Sequence, residues 1–279
     1  MKKAKIMFLN VFLMCIFPLY SQEIQVMTYN IRLDVSSDGI NQWNNRRDFM
    51  ARQILFHEPG IMGIQEGLPH QVSWLDSVLS SYSYTGVGRD DGIYAGEYCA
   101  IFYRKDLFRL LSGSTFWLSE TPEKPSLGWD AAIKRICTWA VLRHIESGNR
   151  ILVMNTHFDH IGVNARNESA KLILQKMKEL NPQNFPVIVM GDLNLEPESE
   201  AVQYISGNLN DSRRNSRLVF GPEGTFNGFN HDLPVTRRID YIFTDKKKIR
   251  VEKYAILSDS DECRYPSDHL PVFISMRLR

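Results

Sequence analysis

The sequence predicts an α/β fold in which two sheets pack face to face with helices outside. Three observations carry that expectation. Strand-like runs outnumber helical ones, several strands arrive as adjacent pairs, and the helical runs fall between strands in the first and middle portions. A single doubly wound sheet would put a helix between successive strands, whereas adjacent strands joined by short turns call for mixed or antiparallel pairing.

In chain order, IQVMTYNIR (24–32) is apolar and β-branched and reads as a strand. RRDFMARQILFHEP (46–59) reads as a helix stopped by Pro59, and GIMGIQE (60–66) as a short buried strand. PHQVSWLDSVLSS (69–81) is a helix with Val72, Leu75, Val78 and Leu79 on one side. EYCAIFYR (97–104), KRICTWAVLRHI (134–145) and RILVMNTHF (150–158) are strands, the last two joined by the turn ESGN. A long helix over 162–180 precedes the buried strand FPVIVMGDLN (185–194), and a short helix follows Pro197. RRIDYIFTD (237–245), IRVEKYAILSD (249–259) and LPVFISMRLR (270–279) close the chain as strands.

The bulk properties set outer bounds. The chain has 279 residues, 43% hydrophobic and 23% charged, enough for one substantial core. Residues 1–21 form a separate segment: a basic MKKAK, a short apolar run and a small residue at Ser21, the pattern of a cleavable leader for export. The expected organisation is therefore a leader over 1–21 and one domain over 22–279. Lys2, Lys3 and Lys5 leave with the leader and no acid does, so 33 basic residues fall to 30 against 32 acidic ones. A protein built to grip long nucleic acid usually carries a basic excess, and this chain has none. Cys99, Cys137 and Cys263 remain, with no paired C-x-x-C spacing, which excludes a zinc framework; one bridge stays open in an oxidising compartment.

The polar residues collect at strand ends. MTYN ends in Asn30, and GIQE in Glu66. VMNTHFDH ends in His157, with Asp159 and His160 beyond it. VIVMGDLN ends in Asp192 and Asn194, RIDYIF carries Asp240, and SDHLPV opens the last strand with Asp268 and His269. One such group is turn or cap chemistry; so many together define a rim of loops where a rigid scaffold does its chemistry. The set is rich in carboxylate and amide oxygen with a few imidazoles, which suits Mg²⁺ or Mn²⁺ and hence phosphoester hydrolysis.

Taken in order, TYNIR, IQEG, NTHFDH, GDLN, RIDYIF and SDHLPV resemble the motif set of the endonuclease/exonuclease/phosphatase superfamily over residues 24–277. The resemblance implies a four-layer α/β/β/α sandwich, two mixed and mostly antiparallel sheets face to face with helices outside. It implies an enzyme that uses Mg²⁺ or Mn²⁺ to direct water at a phosphodiester or phosphomonoester. It also implies roles. Glu66 would be the main metal ligand, with Asn30 and Asp268 completing the metal set. Asp192 would position or deprotonate water, Asn194 would donate to a phosphoryl oxygen, and His157 would bind the phosphate. His269, held by Asp240, would contact the phosphate or move a proton; Asp192 and His269 both stay open as the base.

Several residues carry a second reading. Asn30 caps a turn equally well, Glu66 could open a helix, and Asp240 could pair with Arg237 or Arg238. Asp159 is either a substrate contact or a structural group, as is His160. The stretch 115–140 reads as a Pro-rich excursion, flap or substrate wall, with Arg135 as a phosphate-binding residue. Tyr98 is either substrate-facing or core. Trp43, Arg46 and Arg47 either line the pocket or begin a helix. Two rival functions remain: a catalytically silent phospho-ligand-binding module on the same fold, and a zinc hydrolase suggested by THFDH, where Asn155 stands in place of the first histidine such a motif requires. Nucleic acid and phospholipid headgroups both stay open as partners, and the oligomeric state is not specified.

Overall fold

A computed structural model describes residues 23–279; the leader read over 1–21 lies outside the described residues. The chain begins with β1 (Ile24–Asn30), a 3₁₀ turn (Ser36–Asn41), α1 (Trp43–His57), β2 (Ile61–Gln65), α2 (Pro69–Val78), β3 (Tyr82–Thr85) and β4 (Ile101–Arg104). It continues through β5 (Phe108–Trp117), β6 (Ile136–His144), β7 (Arg150–His157), α3 (Val163–Leu180), β8 (Val187–Asp192) and α4 (Glu200–Asn208). It closes with β9 (Asn210–Asp211), α5 (Ser212–Asn215), β10 (Leu218–Phe220), β11 (Asp240–Thr244), β12 (Ile249–Ile256) and β13 (Val272–Leu278).

Alternation along the strands builds the layers. Val26 of β1, Ile61 of β2, Ile151 and Val153 of β7, Ile188 of β8 and Ile274 of β13 share one buried cluster, the filling between the sheets. Their neighbours Met27, Tyr29 and Met62 point the other way and pack with Trp43, Met50 and Ile54 of α1 and Val72 and Leu75 of α2. On the second sheet Leu152, Met154, Val187 and Val189 face Ala170, Ile173 and Leu174 of α3 and Val202 and Ile205 of α4. The result is helix, sheet, sheet, helix, as expected. The seven-stranded sheet runs β10-β12-β13-β1-β2-β4-β3, and the six-stranded sheet runs β5-β6-β7-β8-β11-β9. β1 and β2 are parallel, as are β7 and β8 and the edge pair β10 and β12; the remaining pairings are antiparallel.

Some boundaries move. α1 starts at Trp43, before the apolar pattern is visible, and ends at His57, with Glu58 in the left-handed region (φ 44°) ahead of Pro59. Residues 115–140 are not one excursion: β5 runs through Trp117 and β6 resumes at Ile136, leaving a loop over 118–135. The three described cysteines are unpaired. Among the described residues no helix is long and apolar enough to cross a membrane.

A buried polar side chain links the sheets behind the strand ends. Asn155 of β7 is fully buried and donates to the carbonyls of Ile64 (2.8 Å) and Ala100 (2.9 Å), while its Oδ1 accepts from Gln65 Nε2 (2.6 Å). Close approach is also built into β8. Gly191 has φ 143°, and a Cβ there would lie 1.9 Å from the Thr156 carbonyl oxygen on β7. Gly191→Ala is therefore expected to cost more than the roughly 1–3 kcal/mol of an overpacked core, because backbone must move. A urea midpoint within error of wild type would contradict this.

Candidate active site

Strand direction brings the polar ends together. β13 runs antiparallel to β1, so its start lies beside the ends of β1 and β2. β11 runs antiparallel to β8, so Asp240 sits opposite Asp192, and His157 of β7 pairs in register with Asp192 on the other side. One sheet thus delivers Asn30, Glu66, Asp268 and His269, and the other delivers His157, Asp192 and Asp240. They line an open cleft of about 320 Å³ together with Arg32, Glu97, Arg135, His160, Asn194, Phe226 and Arg237, although Asn30 and Asp240 lie behind its surface.

Hydrogen bonds then fix the side chains. Asn30 Nδ2 donates to Glu66 Oε1 (2.9 Å) and to Asp192 Oδ2 (2.9 Å), crossing between the sheets. Asp192 Oδ1 accepts from the Asn194 N–H at 2.8 Å. Glu66 and Asn194 both adopt positive φ, 63° and 51°, a strained conformation for a glutamate that turns the chain sharply at the strand end. Glu66 Oε2 also accepts from the Leu33 N–H at 3.1 Å. Asp240 Oδ2 lies 2.8 Å from His269 Nδ1, whose ring meets Phe226 edge to face. His269 Nε2 faces Asp192 Oδ2 at 3.7 Å, and His157 Nε2 faces the same oxygen at 3.4 Å. Asn194 Nδ2 bridges His157 Nε2 (3.0 Å) and the Phe158 carbonyl (3.1 Å).

The electrostatics follow from burial and crowding. Burial, reinforced by the neighbouring Asp240, pushes the Asp192 carboxyl up to about 7. Burial also lowers His157 well below the usual imidazole range, with Arg135 adding to the effect, so its ring is neutral and accepts the Asn194 amide hydrogen. For His269, burial alone would lower the pKa; Asp240 and Asp192 outweigh it and hold the ring well above its ordinary value, as an imidazolium that donates to Asp240. Asp268 is raised by burial, with Glu66 pushing the same way.

Two expected site residues lie elsewhere. Tyr98 does not line the cleft; it packs with the α1–α2 layer, and its hydroxyl donates to the Ile93 carbonyl (3.2 Å), holding the loop before it. Asp159 is buried behind the cleft and accepts from the backbone N–H groups of Ala132, Ile133, Ile161 and Gly162. It ties two loops together and lies 3.7 Å from Arg135 Nε, behind the cleft lining. Asp159 and His160 also fail to join His157 in a ligand cluster, which removes the geometric basis of the zinc reading. Asn30 differs in detail: its oxygen accepts the Arg32 N–H (3.0 Å), so it presents N–H groups, not an oxygen, to the acids.

Arg135 is placed in the cleft wall, 4% exposed, with Nη2 3.2 Å from His160 Nδ1; its Nε and Nη1 have no hydrogen-bond partner among the described residues. Arg46 begins the helix without lining the cleft, yet it braces it, donating to the carbonyls of Ile31, Arg32 and Pro266. Trp43 and Arg47 both pack on Trp74.

Other residues had no sequence signal beyond being polar and near a motif. Thr225 Oγ1 accepts from the N–H groups of Ile239 (3.0 Å) and Asp240 (3.2 Å), and so seats Asp240. Ser267 Oγ donates to the Asn30 carbonyl at 2.7 Å, joining the Asp268 loop to β1. Arg32, gripped by Asp38 at 3.0 and 2.9 Å, brings its guanidinium within 3.9 Å of Glu66 and 3.8 Å of Asp268.

The donor set fits a divalent cation. Glu66, His157 and Asp192 offer ligand atoms within 4.8 Å of one another, and Asp268 joins Glu66 around Arg32. Hard oxygen donors dominate, as a divalent cation of the Mg²⁺ type requires.

Residues 27–269 match the endonuclease/exonuclease/phosphatase family, and the chain belongs to that family of phosphoesterases. The fold agrees. A structure of a family protein from Bacteroides thetaiotaomicron is 38% identical, with a TM-score of 0.89 over 92% of this chain and 95% of that one. A mannosyl-6-phosphatase from the same organism is also 38% identical, with a TM-score of 0.87 over 91% of this chain and 99% of that one. Mouse nocturnin is 23% identical over 88% of this chain and 64% of its own length. The first three curated relatives are spanned over only 38%, 64% and 38% of their length.

Proposed function

We propose that the protein is a divalent-metal-dependent hydrolase of phosphate esters, exported by its N-terminal leader, with a small phosphomonoester as the favoured substrate. The observation that carries this reading is the cleft lining: Glu66, Asp192 and Asp268 gather there with the buried guanidinium of Arg135, whose Nη1 has no hydrogen-bond partner among the described residues and whose Nε lies 3.7 Å from Asp159 Oδ2. Guanidinium matches phosphate geometry, and the carboxylates beside it suit a divalent cation. The likeness to a mannosyl-6-phosphatase supports a monoester, and the absence of a basic excess in the composition weighs against a polymer.

Glu66 and Asp268, with Asp192, would hold the cation; bound there, Mg²⁺ or Mn²⁺ would neutralise charge on the phosphoryl oxygens. The chain's own residues do the rest. Asp192, oriented by the Asn30 amide and the Asn194 N–H, takes the proton of a water aligned with the phosphorus. Arg135 grips the phosphoryl group from the loop side, where developing negative charge is stabilised by a fixed donor, and the neutral His157 ring packs beside it against Asp192. His269, oriented by Asp240, supplies a proton as the bond to the leaving oxygen breaks, so the alcohol departs neutral.

A metal-supplemented screen over sugar phosphates, nucleotides, phospholipids and nucleic acids tests the reading. Phosphate release that EDTA stops and Mg²⁺ or Mn²⁺ restores is expected; no turnover with any substrate would sink it. Arg135→Ala is expected to lower kcat/KM by about 10²–10³-fold, as for loss of one oxyanion donor, with unchanged circular dichroism. Retention of wild-type kcat/KM would remove Arg135 from the site.

A further inference from the structure

Glu97 lines the cleft without a part in this chemistry, and it is not among Glu66, His157 and Asp192, whose ligand atoms cluster. It comes from the loop before β4 and is held by Arg89 in a two-pronged pair, Nη1 to Oε2 at 2.7 Å and Nη2 to Oε1 at 2.7 Å, with both side chains largely buried. The loop is itself rigid. Asp91 Oδ1 accepts from the N–H groups of Ile93, Tyr94 and Ala95, Tyr98 holds the 93 carbonyl, and Trp117 Nε1 donates to the Arg89 carbonyl at 2.7 Å.

A carboxylate is a poor choice in a pocket meant only for phosphate, since it repels the ligand. Its use is as an acceptor. The arginine fork engages one lone pair on each carboxylate oxygen and leaves the others available, and it cancels the charge that would draw a cation. What remains is a fixed, neutralised pair of acceptors in the cleft that Arg135 also lines. Hydroxyl groups, each a donor and an acceptor, fit acceptors beside a donor. A second phosphate, as in a polynucleotide, does not.

We propose that Glu97, locked by Arg89, is a specificity-determining residue that accepts hydrogen bonds from hydroxyl groups of a polyhydroxylated leaving group, so that the enzyme selects sugar phosphates over nucleic acid and simple aryl phosphates. This inference rests on the phosphoesterase reading. The full-length mature protein, loaded with Mg²⁺, is assayed with mannose 6-phosphate, p-nitrophenyl phosphate and a short oligonucleotide. Wild type is expected to favour the sugar phosphate. Glu97→Gln keeps the shape and one acceptor, and is expected to lower the ratio of kcat/KM for mannose 6-phosphate over p-nitrophenyl phosphate at least tenfold, mainly through KM. Arg89→Gln, which breaks the same pair but keeps the acid, is expected to lower that ratio less. If both variants lose activity on the two monoesters in the same proportion, Glu97 is a loop brace and the inference falls. If wild type cleaves p-nitrophenyl phosphate or the oligonucleotide as well as the sugar phosphate, the hydroxyl subsite falls while the hydrolase reading stands. If wild type cleaves nothing, both fall.

Discussion

Asp192→Asn is expected to lower kcat about 10³-fold while making the metal-free protein more stable at neutral pH. The first effect follows from removing the proposed general base, a role worth about 10²–10⁴ in rate. The second follows from burial beside Asp240, which raises the carboxyl to about 7. Between its unfolded pKa near 4 and that value, the folded protein binds more protons than the unfolded chain, so its stability falls as pH rises through the window. The asparagine carries no such charge. With chelator present, its melting temperature should exceed wild type by a few degrees at pH 7.5, and the gain should vanish below about pH 4. A variant that kept wild-type kcat would exclude Asp192 as the base; one with no pH-dependent gain would show that its carboxylate is already compensated.

The largest loss of stability is expected from a pair outside the cleft. Asp211 receives Arg238 through two bonds, Nη2 to Oδ2 at 2.7 Å and Nη1 to Oδ1 at 3.0 Å, and both side chains are buried. Asp211 also accepts from the Arg213 N–H at 3.0 Å, and the Arg238 guanidinium lies 4.6 Å from the centre of the Tyr241 ring. Asp211→Ala leaves a buried cation unpaired, at a cost of about 3–5 kcal/mol. Replacing both partners by apolar residues, Asp211→Leu with Arg238→Met, should cost far less, because no charge is then stranded. Urea unfolding of the single and double variants checks this, and a single-variant loss below about 1 kcal/mol would mean that water reaches Arg238.

The two cases explain which parts of the molecule could be read from the chain. The layered sandwich was legible because β1, β7 and β8 alternate cleanly between two apolar environments. β5 was not legible: it is an edge strand whose middle residues are exposed, and a strand with polar groups on both faces carries no period. β3, β9 and β10 are too short to show one. At the cleft, Glu66, Asp192, Asp240 and His269 stood out because each is a charged group at the edge of an apolar run. Arg89 and Glu97 are eight residues apart in a glycine-rich loop, and nothing in that spacing announces a salt bridge. Asp159 misled for the same reason in reverse, since its place in THFDH resembles a ligand while two of its four backbone donors, Ala132 and Ile133, lie in a loop distant along the chain. Contacts between loops depend on tertiary closure, which a local pattern does not encode.

Asn155 bears on how the cleft keeps its shape. The acids on one bank belong to one sheet and those on the other bank to its neighbour, so the width of the cleft is a distance across the seam between the sheets. Its amide bonds to the Ile64 and Ala100 carbonyls pin the two slabs beside Glu66, much as a dowel aligns two boards. The width of the cleft is thus set in part by a residue that does not line it.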